Sequence, residues 1–319
     1  MKKKVLLDFD IGSEADDAIA LAYLLANPDC ELVGITTSTG ESIKRAQLAS
    51  VMCKAAGQDI PIYSGCEDPL LVEQLEVAAP QARILDDWAH DTEFEPGAAV
   101  PFMRDIIRKH PGEITLLGIA PLSNIGALFA IDSEIPSLLD GLMLMGSSPT
   151  HHRHDLGIAT EDTEAIRKPK MMVRLASEGL IENNCFVDPH GTHIVHRANV
   201  LSHRIIGNNV TTKMYITPQE GAALFQDCKH PVLAPLMAIM EEWYKDEPRM
   251  SFHDPIAAVC IFNDDICTYE RGQMTVELDS KWLKGLTYWM PDEAGPHEIA
   301  VEIDKDKFFE HLVSVFQNR

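Results

Sequence analysis

The sequence predicts an α/β fold with a mainly parallel central sheet flanked by helices. Apolar runs of strand length alternate with helical patterns through the first half of the chain. Two aspartates follow the first apolar run, at the sheet edge where open parallel sheets bind ligands. No internal repeat, low-complexity stretch or clear linker divides the 319 residues, so we expect one domain over 1–319.

The individual elements follow from this alternation. Asn27-Pro28 is expected to stop the first helix, and Gly57 suits the end of the second. Strands are expected at 4–10, 31–37, 60–63, 114–119 and 141–145, and helices at 17–26, 42–56, 99–109 and 122–131. After an inserted polar segment near 147–180, we expect helices at 189–198, 232–244 and 252–262, then a strand and a closing helix within 298–317.

Composition excludes several classes of partner. A net charge of −22 repels phosphate backbones and anionic lipid, so neither nucleic acid nor a membrane surface is an expected partner. No apolar run approaches the ~18 residues of a membrane span, and the run before Asp8 is too short for a signal peptide. Seven cysteines without a C-x-x-C pair predict free thiols in a reducing compartment, hence a cytoplasmic protein.

The N-terminal acidic cluster carries the strongest chemical signal. Asp8 and Asp10 lie two apart on a strand and share a face, while Asp16 and Asp17 open the next helix after a turn at Gly12. Such carboxylates repel one another unless a cation neutralises them, and calcium and magnesium prefer oxygen ligands. Capping of the helix explains one of the later aspartates equally well, but it does not explain the first two.

Three further segments of the sequence carry groups that could bind a metal or a sugar. His253-Asp254-Pro255 presents a carboxylate that suits either a metal ligand or a helix N-cap. Glu182-Asn183-Asn184 places a carboxylate and an amide two residues apart, which suits the hydroxyls of a sugar, although polar triplets of this kind are also typical of loops. Residues 114–126 run strand, turn, helix, and so expose backbone carbonyls at the same sheet edge.

Together these four elements resemble the inosine–uridine-preferring nucleoside hydrolase family. The motifs of the family have counterparts here in the same order. In the family they are the D-x-D-x-G and D-D-A opening, the I-T-T strand with a Gly turn, the I-T-L and L-x-N-I segments, L-M-G, E-x-N with D-P, and H-D-P. Their counterparts are Asp8, Asp10, Gly12, Asp16, Asp17 and Ala18; 35–37 with Gly40; 114–116 and 122–125; 144–146; Glu182, Asn184, Asp188 and Pro189; and 253–255.

The resemblance implies calcium-dependent hydrolysis of the N-glycosidic bond of a ribonucleoside or related riboside, as in purine and pyrimidine salvage. The implied calcium ligands are Asp10, Asp17, Asp254 and the main-chain oxygen of Ile119. Asp10 is also the implied general base on a calcium-bound water. The family further implies a homodimer or homotetramer.

The implied sugar ligands are Asp16 and Asn184 for the ribose hydroxyls and Glu182 for the 5′-hydroxyl. Glu41 stands where well-known members have an Asn, so it is a further candidate for substrate binding. The family's second ribose-contacting Asn, upstream of Glu182, has no clear counterpart. This departure concerns the substrate more than the metal.

The leaving base has two candidate neighbours. His253 is implied to lie beside it and is a candidate general acid. Trp88 lies in a segment that borders the base in the family, where stacking and ordinary packing are both open. Other histidines are expected to be surface groups: His190, His193 and His196 on a helix, and the tract 151–154 in a solvated loop.

Two other functions compete with this interpretation. Asp8-Phe9-Asp10 also matches the D-x-D of haloacid-dehalogenase-like phosphohydrolases, with Asp264-Asp265 as the late acidic pair, although Gly12 departs from that pattern. The second is a catalytically silent ribose-binding protein that keeps the cation site, which Glu41 and the missing Asn would permit.

Overall fold

A computed structural model describes residues 2–149 and 181–317 of the chain. The segment from 150 to 180 lies outside the described residues, and with it most of the expected polar insertion and the histidine tract 151–154. None of the described helices is both long and apolar enough to cross a bilayer.

The strands are numbered in chain order. They are β1 Lys3–Phe9, β2 Cys30–Thr37, β3 Ile62–Ser64, β4 Ile114–Gly118, β5 Gly141–Met145, β6 His203–Ile206, β7 Tyr215–Ile216, β8 Met250–Ser251, β9 Cys267–Val276, β10 Thr287–Pro291 and β11 His297–Ile303.

The α-helices of the described residues are numbered in the same way. They are α1 Asp16–Ala26, α2 Ser42–Ala55, α3 Ala99–Lys109, α4 Ser123–Ile131, α5 Asn183–Val187, α6 Pro189–His196, α7 Asn208–Thr211, α8 Pro218–Phe225, α9 Leu233–Trp243, α10 His253–Cys260 and α11 Lys305–Gln317. Short 3-10 segments cover Pro80–Asp87, Ile135–Leu138 and Asp264–Ile266.

The large sheet has the order β10-β9-β11-β6-β5-β4-β1-β2-β3, and β7 pairs separately with β8. Neighbouring strands from β3 across to β11 are parallel, and β9 runs antiparallel to both β11 and β10. The predicted α/β class with a mainly parallel sheet is therefore confirmed. Chain order reverses between β1 and β4, the position at which open sheets leave a crevice for a ligand.

The core lies on both faces of the sheet. Val5, Leu7 and Phe9 of β1 pack into a cluster with α1, α9, α10 and α11, whereas Leu6 packs into the opposite cluster with α3 and α4. A strand buried on both faces reads as a continuous apolar run rather than an alternating one. This is why VLL was recognisable as the first strand.

Several elements of the second half were not expected from the sequence. β6 has only four residues, and β9 mixes exposed Thr268 and Arg271 with buried Gly272 and Met274. Short or partly exposed strands lack the sustained apolar period that identifies buried ones. The elements of the first half were predicted within two residues at each end.

Candidate active site

The loop after β1 shapes the site. Gly12 has a φ of +117°, and a Cβ at this position would come within 2.9 Å of Leu48 Cδ1 and 3.0 Å of Ala79 Cβ. Only glycine accepts both the positive φ and this close approach. The turn returns the chain from Asp10 to the start of α1, so that Asp10, Asp16 and Asp17 face one cleft.

Asp8 lies beneath this cleft and not in its wall. Its Oδ1 accepts hydrogen bonds from Thr36 Oγ1 at 2.7 Å and Asn124 Nδ2 at 2.8 Å. Burial raises the pKa of Asp8 to about 6, against the lowering effect of these two donors. Asp8 therefore joins β1 to β2 and α4 and supports the residues above it.

Asp16 and Asp17 do not cap their own helix. The N-cap position of α1 is Ala15, without a side-chain cap. Asp17 Oδ1 accepts from the backbone N–H of Asp10 at 3.2 Å, and Asp16 Oδ2 accepts from the N–H groups of His253 and Asp254 at 2.8 and 3.1 Å. Asp16 thus caps α10, whose N-cap position is Phe252 and not the expected Asp254, and Asp254 lines the cleft.

Three carboxylates converge at the base of the cleft. Asp16, Asp17 and Asp254 are buried, and one oxygen of each lies within 4.8 Å of the others. Burial first, and then the neighbouring carboxylates, raise the pKa of Asp17 and of Asp254 well above the usual range. Crowded, buried oxygen ligands of this kind fit a hard divalent cation, which would offset their mutual repulsion.

Asp10 lines the same cleft next to these three residues. Burial raises its pKa to about 8; the charge of Arg45 opposes this, while the charges of Glu76, Asp16 and Asp8 add to it. Asp10 is not in the closest group of three carboxylates, where Asp16 takes its place. Its position allows either a share in the cation or a role as a base beside it.

Two of the three sugar-ligand candidates, Asn184 and Glu182, lie in a separate segment of the cleft lining. The Asn184 amide donates to the carbonyl oxygens of Ile119 at 3.3 Å and Met145 at 3.2 Å, both of which line the cleft. Glu182 caps α5: it accepts from the N–H groups of Asn184 and Cys185 at 2.8 and 3.0 Å, and from Ser147 N–H at 3.1 Å. Backbone donors therefore fix the Glu182 carboxylate in place.

His253 stands at the start of α10, half-buried in the cleft wall. Its Nδ1 lies 2.7 Å from Thr211 Oγ1, which fixes the orientation of the ring. The residues around it, Asn208, Thr212 and Arg249, line the same side of the cleft.

Two candidates lie elsewhere. Neither Glu41 nor Trp88 is among the described residues that line the cleft. Glu41 has a left-handed φ of 60° and directs its carboxylate to the N–H of Ala79 at 2.9 Å and to Lys44. Trp88 is partly buried and packs against the larger core cluster. Any effect of either residue on the substrate therefore acts through its neighbours.

The cleft has a volume of about 650 Å³ and gathers residues from seven separate segments. Its lining contains every other site candidate together with Ser13, Glu14, Leu75, Glu76, Met145, Asn183, Phe186, Val187, Asn208, Thr212, Arg249 and Ser251. Sequence analysis missed this last group. Three of them had a signal: Glu14 lies inside the N-terminal acidic cluster, Met145 in the motif 144–146, and Asn183 between Glu182 and Asn184.

Comparison with known proteins identifies this arrangement. The family model described as inosine-uridine preferring nucleoside hydrolase matches residues 5–310. The chain belongs to that family. Its chemistry is therefore hydrolysis of the N-glycosidic bond of ribonucleosides.

Relatives of this nucleoside hydrolase match along almost their entire length. It is 26% identical to the inosine-uridine preferring nucleoside hydrolase of Crithidia fasciculata, over 97% of this chain and 96% of that protein. It is 24% identical to the pyrimidine-specific ribonucleoside hydrolase RihA of Salmonella paratyphi C, over 99% of each. The solved purine-preferring ribonucleoside hydrolase from Gardnerella vaginalis superposes with a TM-score of 0.78 at 20% identity, over 99% of this chain and 98% of that one.

Membership of the nucleoside hydrolases shows that the phosphohydrolase hypothesis is wrong. Its supposed nucleophile, Asp8, is fully buried, and Asp264 of its supposed late pair forms an ion pair with Arg204 away from the cleft. A D-x-D at a strand end is too short a motif to separate the two families.

Proposed function

We propose that this nucleoside hydrolase cleaves ribonucleosides or related ribosides with one bound calcium ion in the cleft. The observation that carries the proposal is the convergence of Asp16, Asp17 and Asp254, with ligand oxygens within 4.8 Å of one another. No lysine or arginine lies among the described residues that line the cleft except Arg249. The lining of the cleft is therefore strongly negative, and a divalent cation would offset that negative charge.

The proposed ligands are Asp10, Asp17, Asp254 and the main-chain oxygen of Ile119. All four residues line the cleft, and the Ile119 carbonyl already accepts from Asn184 inside it. Asp16 has a carboxylate oxygen within 4.8 Å of those of Asp17 and Asp254, and so adds negative charge to the same group. When bound, calcium would lower the pKa of a water and hold it beside the sugar.

The chain's own residues would perform the remaining steps. Asp10, which lines the cleft beside the three converging carboxylates, would accept a proton from the attacking water. Asp16 and Asn184 would hold the ribose hydroxyls, and Glu182 the 5′-hydroxyl. Buried carboxylates beside the ring stabilise the positive charge that develops on the sugar as the bond breaks.

His253 would donate a proton to the departing base. Thr211 Oγ1, 2.7 Å from Nδ1, would fix the ring so that Nε2 is the nitrogen available to the base. Glu41 would contribute indirectly, by holding Ala79 beside the turn at Gly12. Trp88 would support the same region through its packing.

The wider assignments rest on the family. We propose a nucleoside or riboside as the small-molecule partner, a role in purine or pyrimidine salvage, one domain over 1–319, and a homodimer or homotetramer. Cytoplasmic location agrees with the seven cysteines, all of which are free. Light scattering of the purified protein measures the oligomer directly.

The central test measures free ribose released from a panel of purine and pyrimidine nucleosides, with and without a calcium chelator. We expect turnover that chelation abolishes and calcium restores, and about one calcium per chain by elemental analysis. Asp17→Asn should lose both, whereas the matched control Asp264→Asn should lose neither. If the protein binds calcium and ribose but shows no turnover, the result would support the hypothesis of a catalytically silent ribose-binding protein.

A further inference from the structure

Arg45 is a fully buried arginine directly behind the acidic loop. It projects from the first turn of α2, and its Nε donates to the carbonyl of Gly40 at 2.9 Å. Nη1 donates to the carbonyls of Asp10 and of Ile11, the latter at 3.2 Å, and Nη2 donates to Ala78 at 3.2 Å. One side chain thus joins three loops at the carboxyl edge of the sheet.

The guanidinium has no carboxylate partner in the parts of the chain that the structure describes. All of its hydrogen bonds go to neutral carbonyl oxygens. The nearby Glu41 pairs instead with the exposed Lys44. Because a buried charge is costly without compensation, the positive charge needs negative charge within its reach.

The carboxylates of the cleft supply that charge. Arg45 is bonded to the backbone of Asp10, whose N–H is bonded in turn to the carboxylate of Asp17. Asp16 and Asp254 lie beside Asp17. The guanidinium therefore sits on the protein side of the cluster, and the cleft lies on the other side.

We propose that Arg45 is the resident counter-charge of this carboxylate cluster, which keeps the metal-free site folded and competes electrostatically with the bound cation. The inference rests on the proposed cation site. It assigns Arg45 a positioning role and no contact with the substrate.

The direction of the change in calcium affinity distinguishes an electrostatic role of Arg45 from a purely mechanical role in holding the loops. Removal of the charge destabilises the metal-free protein more than the calcium-bound protein, because calcium replaces the lost positive charge. By thermodynamic reciprocity, the neutral variant must then bind calcium more tightly. A residue that only braced the loops would have the opposite effect, since loose ligands bind calcium more weakly.

The experiment compares Arg45→Met with Arg45→Lys, which keeps the charge but cannot span three loops. Lys44→Met is the matched control, because it removes a neighbouring exposed charge from the same helix. Calorimetric titration with calcium gives the affinities at one fixed pH. Urea unfolding is measured in chelator and in saturating calcium.

We expect Arg45→Met to bind calcium about fivefold tighter or more, the lower range of measured couplings between sites. Its loss of stability should be larger in chelator than in calcium. Arg45→Lys should lose stability in both conditions and bind calcium no more tightly than the wild type, because it keeps the charge but loses the bracing. Lys44→Met should resemble the wild type throughout.

Unchanged or weaker calcium binding by Arg45→Met would overturn the proposal, as would its failure to fold even in calcium. If the wild-type protein itself binds no calcium, the proposed function fails along with the inference. If the wild type binds calcium and Arg45→Met behaves like it, only the role of Arg45 fails.

Discussion

The carboxylate of Asp16 caps the helix that carries Asp254. Its Oδ2 accepts from the backbone N–H of Asp254 at 3.1 Å and from the adjacent N–H at 2.8 Å. The first turns of α1 and α10 are thereby tied together across 238 positions of sequence. Asp254 is the second residue of its helix, behind the N-cap position at Phe252, and it lines the cleft.

Asp16→Ala should damage stability and catalysis together. Loss of a capping carboxylate typically costs about 1–2 kcal/mol of unfolding free energy. The same change removes the proposed ligand of the ribose hydroxyls, so turnover should fall by a hundredfold or more, about the scale of a lost charge-stabilising contact. Urea unfolding and steady-state kinetics measure the two effects.

Asp16→Asn provides the comparison, because its amide oxygen can still accept from α10. It should recover most of the stability and little of the activity. Equal activity of Asp16→Asn and the wild type on ribose and 2′-deoxyribose substrates would contradict the role of Asp16 at the sugar.

Glu182→Ala should also cost stability, about 2–4 kcal/mol. Its carboxylate accepts from three backbone N–H groups, those of Ser147, Asn184 and Cys185, and buried donors left without a partner are costly. Glu182→Ala should therefore lower the free energy of unfolding as well as turnover. Asn184→Ala removes only donors to two carbonyls and should be the milder change in unfolding measurements.

His253→Ala should leave calcium in place and slow the hydrolysis of a purine riboside by about a hundredfold or more, the scale of general acid catalysis. The loss should be much smaller with p-nitrophenyl riboside, whose leaving group needs no proton. Thr211→Val should reproduce part of the effect, because Thr211 Oγ1 orients the ring. An equal loss on both substrates would assign His253 a purely structural role.

Calcium affinity should rise with pH between about 6 and 9. Burial raises the pKa of Asp10 to about 8, and that of Asp17 and of Asp254 well above the usual range, so calcium must displace protons at neutral pH. In metal-free protein these raised values mean that stability falls as the pH rises from 4 toward 8. Titration calorimetry in two buffers of different ionisation enthalpy counts the protons released; release of none would contradict the prediction.

A second pH effect comes from three buried histidines, His196, His203 and His297. The rings of His203 and His297 lie 4.4 Å apart on paired strands, and His196 stacks on His203 at 5.4 Å. Both nitrogens of His297 are used, one by Met274 N–H and one by the carbonyl of His196, each at 2.9 Å. The expected surface position of His196 is wrong, since it is 5% exposed.

Burial lowers the pKa of His297 from 6.5 to about 4, and that of His196 and of His203 well below 6.5. The unfolded chain therefore binds more protons at acid pH. The contribution of these groups to stability is complete above pH 6.5 and is lost as the pH falls from 6.5 toward 4. For His297 alone the loss is about 3 kcal/mol.

His203→Leu should flatten this acid loss, because no described residue offers a hydrogen bond to either ring nitrogen of His203. His110→Leu, outside the cluster, is the control and should keep the wild-type slope. Urea unfolding at pH 5 and 7.5 in chelator, compared between the wild type and the two variants, isolates the effect, because the carboxylate contribution is common to all three proteins. An unchanged slope in His203→Leu would exclude the cluster as its cause.

The sequence alone determined the fold class and the main acidic and polar candidates of the cleft. Buried parallel strands are recognisable in a sequence as apolar runs, and the carboxyl ends of the parallel strands β1 and β4 lie at the same edge of the sheet. The resemblance of the motifs to those of the family implied that Asp10, Asp17, Glu182, Asn184 and Asp254 share one site, and the structure brings all five into the cleft.

Only the tertiary structure decided which contacts each of these groups makes. The cap on α10 comes from Asp16, the counter-charge behind Asp10 comes from Arg45, and Glu41 turns away to Ala79. Each of these contacts joins side chain and backbone across different elements. Local sequence patterns report periodicity and residue type, whereas such bonds depend on the relative placement of loops that only the packed sheet and helices fix.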